Sequence, residues 1–340
     1  MLGLAVGLFC LLAGGGVWFW LYPDQPGPLR TAAVTVEIPA GTGLVGIKNI
    51  LAQAGVVHDD VRFVLLAKLM GADRRLKAGE YAFAPGLSPR AVILELRSGK
   101  TVPRAITLPE GFNLYQAAEV INAGGWGRRE EFRQLVADPE FINGFGLQSV
   151  TLEGYLFPDT YFFEKGTGLR VIVTTMAKRM LRVLDEERAK KGQGGDNLTE
   201  DGSALSPHEV LILASIIEKE TALTSERPLV AKVFLNRLKL GMKLQADPTV
   251  IYGLAKFGAP LTKEDLDTPT PYNTYANRGL PVGPICNPGR TAIAAALNPA
   301  SADYTYFVSQ NDGSHYFSKT LNEHNQAVAR YRKKKGAAQE

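Results

Sequence analysis

The sequence predicts an α+β chain made of an N-terminal transmembrane helix, a small α+β module and a larger, mainly helical domain with short strands. Three observations predict it. Residues 2–22 carry no charged side chain. Short alternating runs, such as Val34-Thr35-Val36-Glu37-Ile38, lead into Pro-x-Gly turns. Later in the chain the apolar spacing is mostly that of amphipathic or buried helices. A chain of 340 residues has room for an anchor and two or three domains. The boundaries read as an anchor at 1–22, a linker at 23–33, the module at 34–100 and the main domain at 101–335.

The anchor comes first. Residues 2–22 are long enough to cross the roughly 30 Å hydrocarbon core as a helix. Trp18, Trp20 and Tyr22 crowd its end, where an aromatic belt would sit. The segment lacks a basic leader and a small-x-small cleavage site, so it reads as uncleaved. Residues 24–30 (Asp-Gln-Pro-Gly-Pro-Leu-Arg) form a short exposed linker.

The module and the start of the main domain share a pattern. Residues 34–56 run strand, Pro39-Ala40-Gly41, amphipathic helix; residues 105–121 run strand, Pro109-Glu110-Gly111, amphipathic helix. Proline fixes φ where each strand ends and glycine permits the turn. Between them, residues 59–70 and 89–96 read as helices and residues 79–83 as a strand. Residues 128–150 hold a short helix and a turn, and residues 169–191 a long amphipathic helix. A Gly-rich loop at 192–203 carries Asn197-Leu198-Thr199, a glycosylation triplet with little meaning outside a eukaryotic context.

Ser206-Pro207-His208-Glu209 is a strong helix start, with a capping serine, proline in the first turn and a capping-box glutamate. The helix that follows is apolar nearly all round, so it is expected to be central and buried. A second helix is expected from Ser225 to Gly241, a short one at 291–297, a hairpin at 304–318 around Asn311-Asp312-Gly313, and a closing helix at 321–334.

Composition excludes several functions. The net charge of +4 equals what the terminal Arg330, Arg332, Lys333, Lys334 and Lys335 contribute against Glu340, so no basic nucleic-acid face is implied. Cys10 lies in the apolar segment and Cys286 is alone in the rest, so no intrachain disulfide is expected. His58, His208, His315 and His324 are scattered and form no His-Glu-x-x-His pair, so no metal and no cofactor are expected.

The chemistry centres on two glutamates late in the central helix. At 100° per residue Glu218 and Glu220 point nearly opposite ways. Glu218 shares its face with Leu211, Ala214, Ser215, Thr221 and Ala222, mostly small residues that leave room for a groove. Glu220 shares its face with Leu213, Ile216 and Ile217, a core stripe. A buried carboxyl keeps its proton towards neutral pH, as a general acid for a glycosidic oxygen must.

Longer stretches go further. Ala214-Ser-Ile-Ile-Glu-Lys-Glu-Thr221, Glu226-Arg227, Val233-Phe-Leu-Asn-Arg-Leu238, the run from Gly241 to Gly253 (GMKLQADPTVIYG), Pro271-Tyr-Asn-Thr-Tyr275 and the run from Gly279 to Gly289 (GLPVGPICNPG), with Glu153-Gly-Tyr-Leu-Phe-Pro-Asp-Thr-Tyr161 upstream, closely resemble the YceG-like family, the endolytic murein transglycosylases. The resemblance spans roughly residues 105–330 and departs at Val282, where proline is common, and at Cys286.

The resemblance implies an anchored enzyme with a LysM-like module at 34–100 and the catalytic region at 101–335. It implies cleavage of the MurNAc–GlcNAc β-1,4 bond within nascent peptidoglycan strands, leaving 1,6-anhydro-MurNAc ends. It implies Glu218 as the catalytic residue. The nucleophile is then the sugar's own C6 hydroxyl, so one carboxylate suffices where ordinary glycosidases need two. The partners implied are peptidoglycan glycan strands, the cytoplasmic membrane and peptidoglycan synthases (penicillin-binding proteins).

Other positions have two readings. Glu153 is either a groove carboxylate or a buried turn acceptor. Gln245, Asp247 and Thr249 on a post-helix loop, with Tyr272, Asn273 and Tyr275, suit sugar hydroxyls and acetamides but equally suit loop packing. Glu220, Glu226 and Asn236 read as supporting residues, Glu226 as a cap or a partner of Arg227. Two other functions stay open: a non-catalytic anchored scaffold that binds peptidoglycan, and a conventional muramidase using Glu218 with Glu153.

Overall fold

The computed structural model describes residues 16–28, 30–190 and 204–337. The chain divides into two compact units. One holds the residues up to Ala105 together with Phe162–Thr167; the other holds Ile106–Tyr161 and everything from Gly168 onward.

The first unit is built on an antiparallel pair, β1 (Val34–Ile38) with β2 (Gly79–Phe83), registered so that Val36 faces Tyr81. Alternation puts Val36, Ile38, Tyr81 and Phe83 on one buried face. Three helices cover it: α1 (Leu44–Gln53), α2 (Val61–Leu69) and α3 (Pro89–Ser98). Asp60 caps α2, Ser88 caps α3 with Pro89 in its first turn, and Gly99 at φ 72° ends α3. Phe63, Leu51, Ile93 and Leu96 complete the core.

The aromatic end of the predicted anchor behaves differently from the expectation. Residues 16–21 are helical, but Tyr22 is only 1% exposed and belongs to this core. The Arg62 guanidinium lies 3.8 Å from the Trp18 ring centre and 4.4 Å from that of Tyr22, and donates to the Trp18 carbonyl. Tyr22 thus packs in the core of this unit, with the Arg62 guanidinium over its ring, and not in the aromatic belt that the sequence suggests. No helix among the described residues is long and apolar enough to cross a membrane. Residues 1–15, most of the predicted anchor and Cys10 with it, lie outside the described residues, as does the loop at 192–203.

Strand β3 (Arg104–Thr107) pairs with β4 (Thr160–Phe163), a strand that the sequence pattern does not flag. The expected strand–turn–helix repeat is present twice: Gly41 sits at φ 80° and Gly111 at φ 75°, each followed by a helix, α1 and α4 (Leu114–Ala123). Then come α5 (Arg129–Val136), α6 (Pro139–Asn143) and the long α7 (Leu169–Lys190).

The central helix α8 (Pro207–Glu220) starts as predicted, with the complete Ser206–Glu209 capping box. Val210 through Ile217 are all buried, since α8 packs against α9 (Arg227–Lys239), α10 (Asp247–Gly253) and α12 (Arg290–Leu297). The start of α9 falls two residues later than predicted, because Ser225 does not cap it and Pro228 sits in its first turn. Helix α11 (Lys263–Asp267), the hairpin β5 (Tyr306–Ser309) with β6 (His315–Ser318), and α13 (Leu321–Ala337) follow.

Candidate active site

Glu218 lies in the last turn of α8, with a side chain only 6% exposed. Two donors hold its carboxylate. Arg227, in the first turn of α9, donates to Oε1 at 2.6 Å. The backbone N–H of Gly289, the residue capping α12, donates to Oε2 at 2.9 Å. That N–H is at a helix N-terminus, where the backbone dipoles favour a negative group. Arg227 also donates to the Thr291 hydroxyl one turn into α12.

Burial raises Glu218 above the ordinary carboxylate range; the Gly289 N–H and Arg227 pull it back, and the neighbouring Glu110 pushes it up again. The result is a carboxyl that holds a proton longer than a surface glutamate and has two fixed donors for the anion once that proton leaves. This is the requirement for one group serving as acid and then base.

The face beneath Glu218 is not an open groove. Leu211, Ala214 and Ser215 are fully buried. The small side chains admit the 279–289 loop instead: Ile285 N donates to the Ser215 hydroxyl at 3.0 Å, and the Cys286 thiol donates to the Ser215 carbonyl at 3.3 Å. Asn287, wholly buried, is the clasp of this loop. Its amide donates to the Phe112 carbonyl at 2.8 Å and accepts from Leu156 N at 2.9 Å. Its backbone carbonyl accepts from Gly111 N at 3.0 Å and its own N–H donates to Phe112 O at 2.9 Å. The Pro109–Gly111 turn is thereby fixed beside the end of α8.

The concave surface next to Glu218 lies on the α4 and α10 side. A cavity of about 300 Å³ is lined by Gly111, Asn113, Gln116, Lys219, Tyr252 and Phe257, with Pro248, Ile251, Gly258 and Ile285. A second, of about 370 Å³, shares Tyr252 and adds Tyr115, Arg133 and Gln134. Tyr115, Tyr252, Phe257 and Tyr272 form one aromatic cluster, with ring centres 4.8–6.5 Å apart in successive contacts.

Of the residues the sequence nominates for substrate, several occupy other places. Glu153 is 1% exposed and accepts from Leu114 N and from the Tyr252 hydroxyl, each at 2.9 Å. Burial moves it up to about 7, against those two donors. It supports the wall carrying Tyr252 and is not itself in the groove. Thr249 and Asn273 are wholly buried. Thr249 is bonded to Ala246 O and the Thr274 hydroxyl; Asn273 donates to Leu266 O and Thr268 O and accepts from Tyr275 N. Their polar atoms shape the loop. Gln245 is exposed at φ 50°. Asp247 begins helix α10 instead of lying in a loop, and accepts from the Tyr275 hydroxyl at 2.6 Å. Tyr272 joins the aromatic cluster through Tyr252.

The supporting residues are clearer. Glu220 is half-buried on the opposite side of α8; burial and Asp247 push it up to about 8, against Arg237. Glu226 neither caps α9 nor meets Arg227. Its carboxylate accepts from His315 N at 2.9 Å, contacts His315 Nδ1 at 2.7 Å and accepts from the Thr221 hydroxyl, fastening the hairpin to the end of α8. Asn236 donates to Ala302 O and Tyr304 O.

Glu110, Arg227 and Tyr252 are the residues that sequence reasoning missed. All three sit inside stretches already singled out, but none was given a role in the reaction. Only the folded turn brings Glu110 to Glu218.

A family model described as the YceG-like family matches residues 36–330. The chain belongs to the YceG-like family. Among curated relatives, the endolytic murein transglycosylase of Bacillus subtilis strain 168 is 35% identical over 88% of this chain and 84% of that protein. The protein of the same name from Streptococcus pneumoniae D39 is 30% identical over 94% of this chain and 63% of its own length. A crystal structure of a YceG-like protein from Listeria monocytogenes is 36% identical, covers 88% of this chain and all of that one, and superposes with a TM-score of 0.56. Family membership fits the mixed helix-and-strand fold.

Proposed function

We propose that this chain is an endolytic peptidoglycan lytic transglycosylase in which Glu218 is the acid and base. The observation that carries the reading is the carboxyl of Glu218, buried at a helix end between the Arg227 guanidinium and the Gly289 N–H. The names of the B. subtilis and S. pneumoniae relatives supply the substrate class.

In this reading a glycan strand lies along the cavities walled by Tyr252, Phe257 and Tyr115. Glu218 gives its proton to the glycosidic oxygen between MurNAc and GlcNAc. As that C1–O bond breaks, the C6 hydroxyl of the same MurNAc forms the new bond to C1 and returns its proton to Glu218. No water is consumed, and the product is a 1,6-anhydro-MurNAc end. Holding the C6 hydroxyl over C1 supplies the effective concentration that a second carboxylate would otherwise have to supply through water. The Arg227 and Gly289 donors stabilise the transient carboxylate. The muramidase alternative using Glu153 is disfavoured by that side chain's burial and by the two donors that already occupy its carboxylate.

The setting follows from the same reading. The apolar segment ahead of Tyr22 anchors the chain in the cytoplasmic membrane with the two units on its outer face. The first unit is a LysM-like glycan-holding module. Cutting nascent strands beside penicillin-binding proteins would end their elongation. The test is product analysis: the purified chain, given uncrosslinked peptidoglycan, releases anhydro-ended fragments one water lighter than hydrolysis products, and Glu218→Gln releases none. Reducing ends would indicate a muramidase, and no release a scaffold.

A further inference from the structure

Glu218 alone does not account for the charge around the site. Arg227 is 5% exposed and bonded directly to the Glu218 carboxylate at 2.6 Å. Such a partner pulls the proton off a general acid, and burial opposes that pull here. The opposing charge comes from the Pro109-Glu110-Gly111 turn. A Cβ placed on Gly289 would fall within 2.6 Å of the Glu110 carboxyl carbon and both its oxygens, so that carboxylate rests against the bare Cα of Gly289. The same residue's N–H donates to Glu218. Both carboxylates therefore converge on Gly289, at most about 8 Å apart by standard bond geometry. A Cβ on the adjoining Gly111 would lie 3.6 Å from Glu218 Cγ, so the turn itself packs on the catalytic side chain. Two hydrogen bonds between Gly111–Phe112 and Asn287 fix the turn there.

We propose that Glu110 is a positioning residue of the reaction: its exposed carboxylate, set against Gly289, holds the catalytic proton on Glu218 against the pull of Arg227. The proposal rests on Glu218 being the acid. It explains why the turn carries an acidic residue where the matching turn of the first unit carries Ala40, and why Gly289 has no side chain. The other charged and titratable groups near Glu218 do not substitute for it. Lys219 on α8 is turned to the Gly111 carbonyl at 3.4 Å. The Cys286 thiol on the 279–289 loop is pushed up by its burial. Arg290 on α12 is paired with Glu186 and Glu187, and Glu226 near the foot of α9 is bound to His315.

The experiment is the pH dependence of strand cleavage by the full chain in detergent, with uncrosslinked peptidoglycan strands as substrate, for wild type, Glu110→Gln and Glu110→Asp. Removing the negative charge lowers the Glu218 pKa, so its proton is lost at lower pH. In Glu110→Gln the basic limb of kcat/KM moves down by about half to one pH unit, as expected for one like charge at this distance near a surface. The acid side stays within about twofold of wild type, and Glu110→Asp restores the limb. The Glu218 carboxyl, titrated by carbon-13 NMR and assigned with Glu218→Gln, moves by the same amount without any substrate. An unmoved Glu218 midpoint, or an equal loss of rate at every pH, overturns the proposal. A wild-type chain that releases no anhydro-ended product overturns the activity instead, and the NMR titration separates the two.

Discussion

Replacing Arg227 with Met should destabilise the second unit by an amount that depends on pH. Arg227 and Glu218 are each only 6% exposed at the side chain and are joined at 2.6 Å. The variant keeps most of the buried stem but leaves Glu218 with the Gly289 N–H as its remaining donor. At a pH low enough to protonate Glu218 in both proteins, no buried anion is at stake. The loss is then that of a few hydrogen bonds, including the one to Thr291, about 1–2 kcal/mol. Once the pH is high enough to ionise the wild-type carboxylate, that anion is paired, whereas the variant must bury an unpaired anion or retain a proton at about 1.4 kcal/mol per pH unit. The loss should approach the roughly 3–5 kcal/mol typical of breaking a buried pair. The sign follows from linkage. The folded-state pKa of Glu218 is already above its unfolded value, and losing Arg227 raises it further, so native-state proton retention extends over a wider window and stability falls more steeply as pH rises. Urea unfolding of the detergent-solubilised chain at acid and at alkaline pH, followed by far-UV circular dichroism, measures both losses. Equal losses at the two pH values would show that Arg227 acts by packing alone and would refute the electrostatic reasoning.

Three further outcomes follow from other parts of the structure. Glu153, wholly enclosed and raised to about 7, retains its proton in the folded state where the unfolded chain has lost it; stability should decline by up to about 3 kcal/mol between pH 4.5 and 7, and Glu153→Gln should flatten that part of the stability–pH curve. Asn287→Ala removes the amide that serves both Leu156 N and Phe112 O; it should cost about 2–3 kcal/mol in urea unfolding and lower kcat, through the displaced 109–112 turn, more than it alters KM. Ser206→Ala takes away the cap of α8 and should cost about 1 kcal/mol with the cleavage rate per folded molecule unchanged.

Much of the fold was legible because its signals are local. The Ser206-Pro207 start of α8, the two Pro-x-Gly turns and the 315–318 strand are each set by a few adjacent residues, and each is found where the pattern places it. The strand at 160–163 was not legible, because it is short and pairs with β3 across some fifty intervening residues. Helix α10 was read as a loop because Asp247-Pro248, a helix start when followed by Thr-Val-Ile-Tyr, also reads as a turn. Periodicity placed Glu218 and Glu220 on opposite sides of α8. It misjudged what the small residues under Glu218 are for, since Ser215 receives a loop instead of lining an open groove. The groove residues were the least legible. Thr249 and Asn273 look like sugar ligands in isolation, but burial spends their polar atoms on the backbone. Tyr252, Gln116 and Glu110 reach the site only through contacts between segments distant in sequence.

The most direct test of the account is the mass of what the chain releases from uncrosslinked glycan strands, compared between wild type and Glu218→Gln. Glutamine keeps the shape, and its one amide oxygen can accept from Arg227 or from the Gly289 N–H but not from both; a circular dichroism spectrum of the variant checks that the fold survives while the proton is gone. The account predicts internally cut, anhydro-ended fragments from the wild type and none from Glu218→Gln. Anhydro-ended fragments released at an undiminished rate by folded Glu218→Gln, or fragments with reducing ends from the wild type, would contradict it.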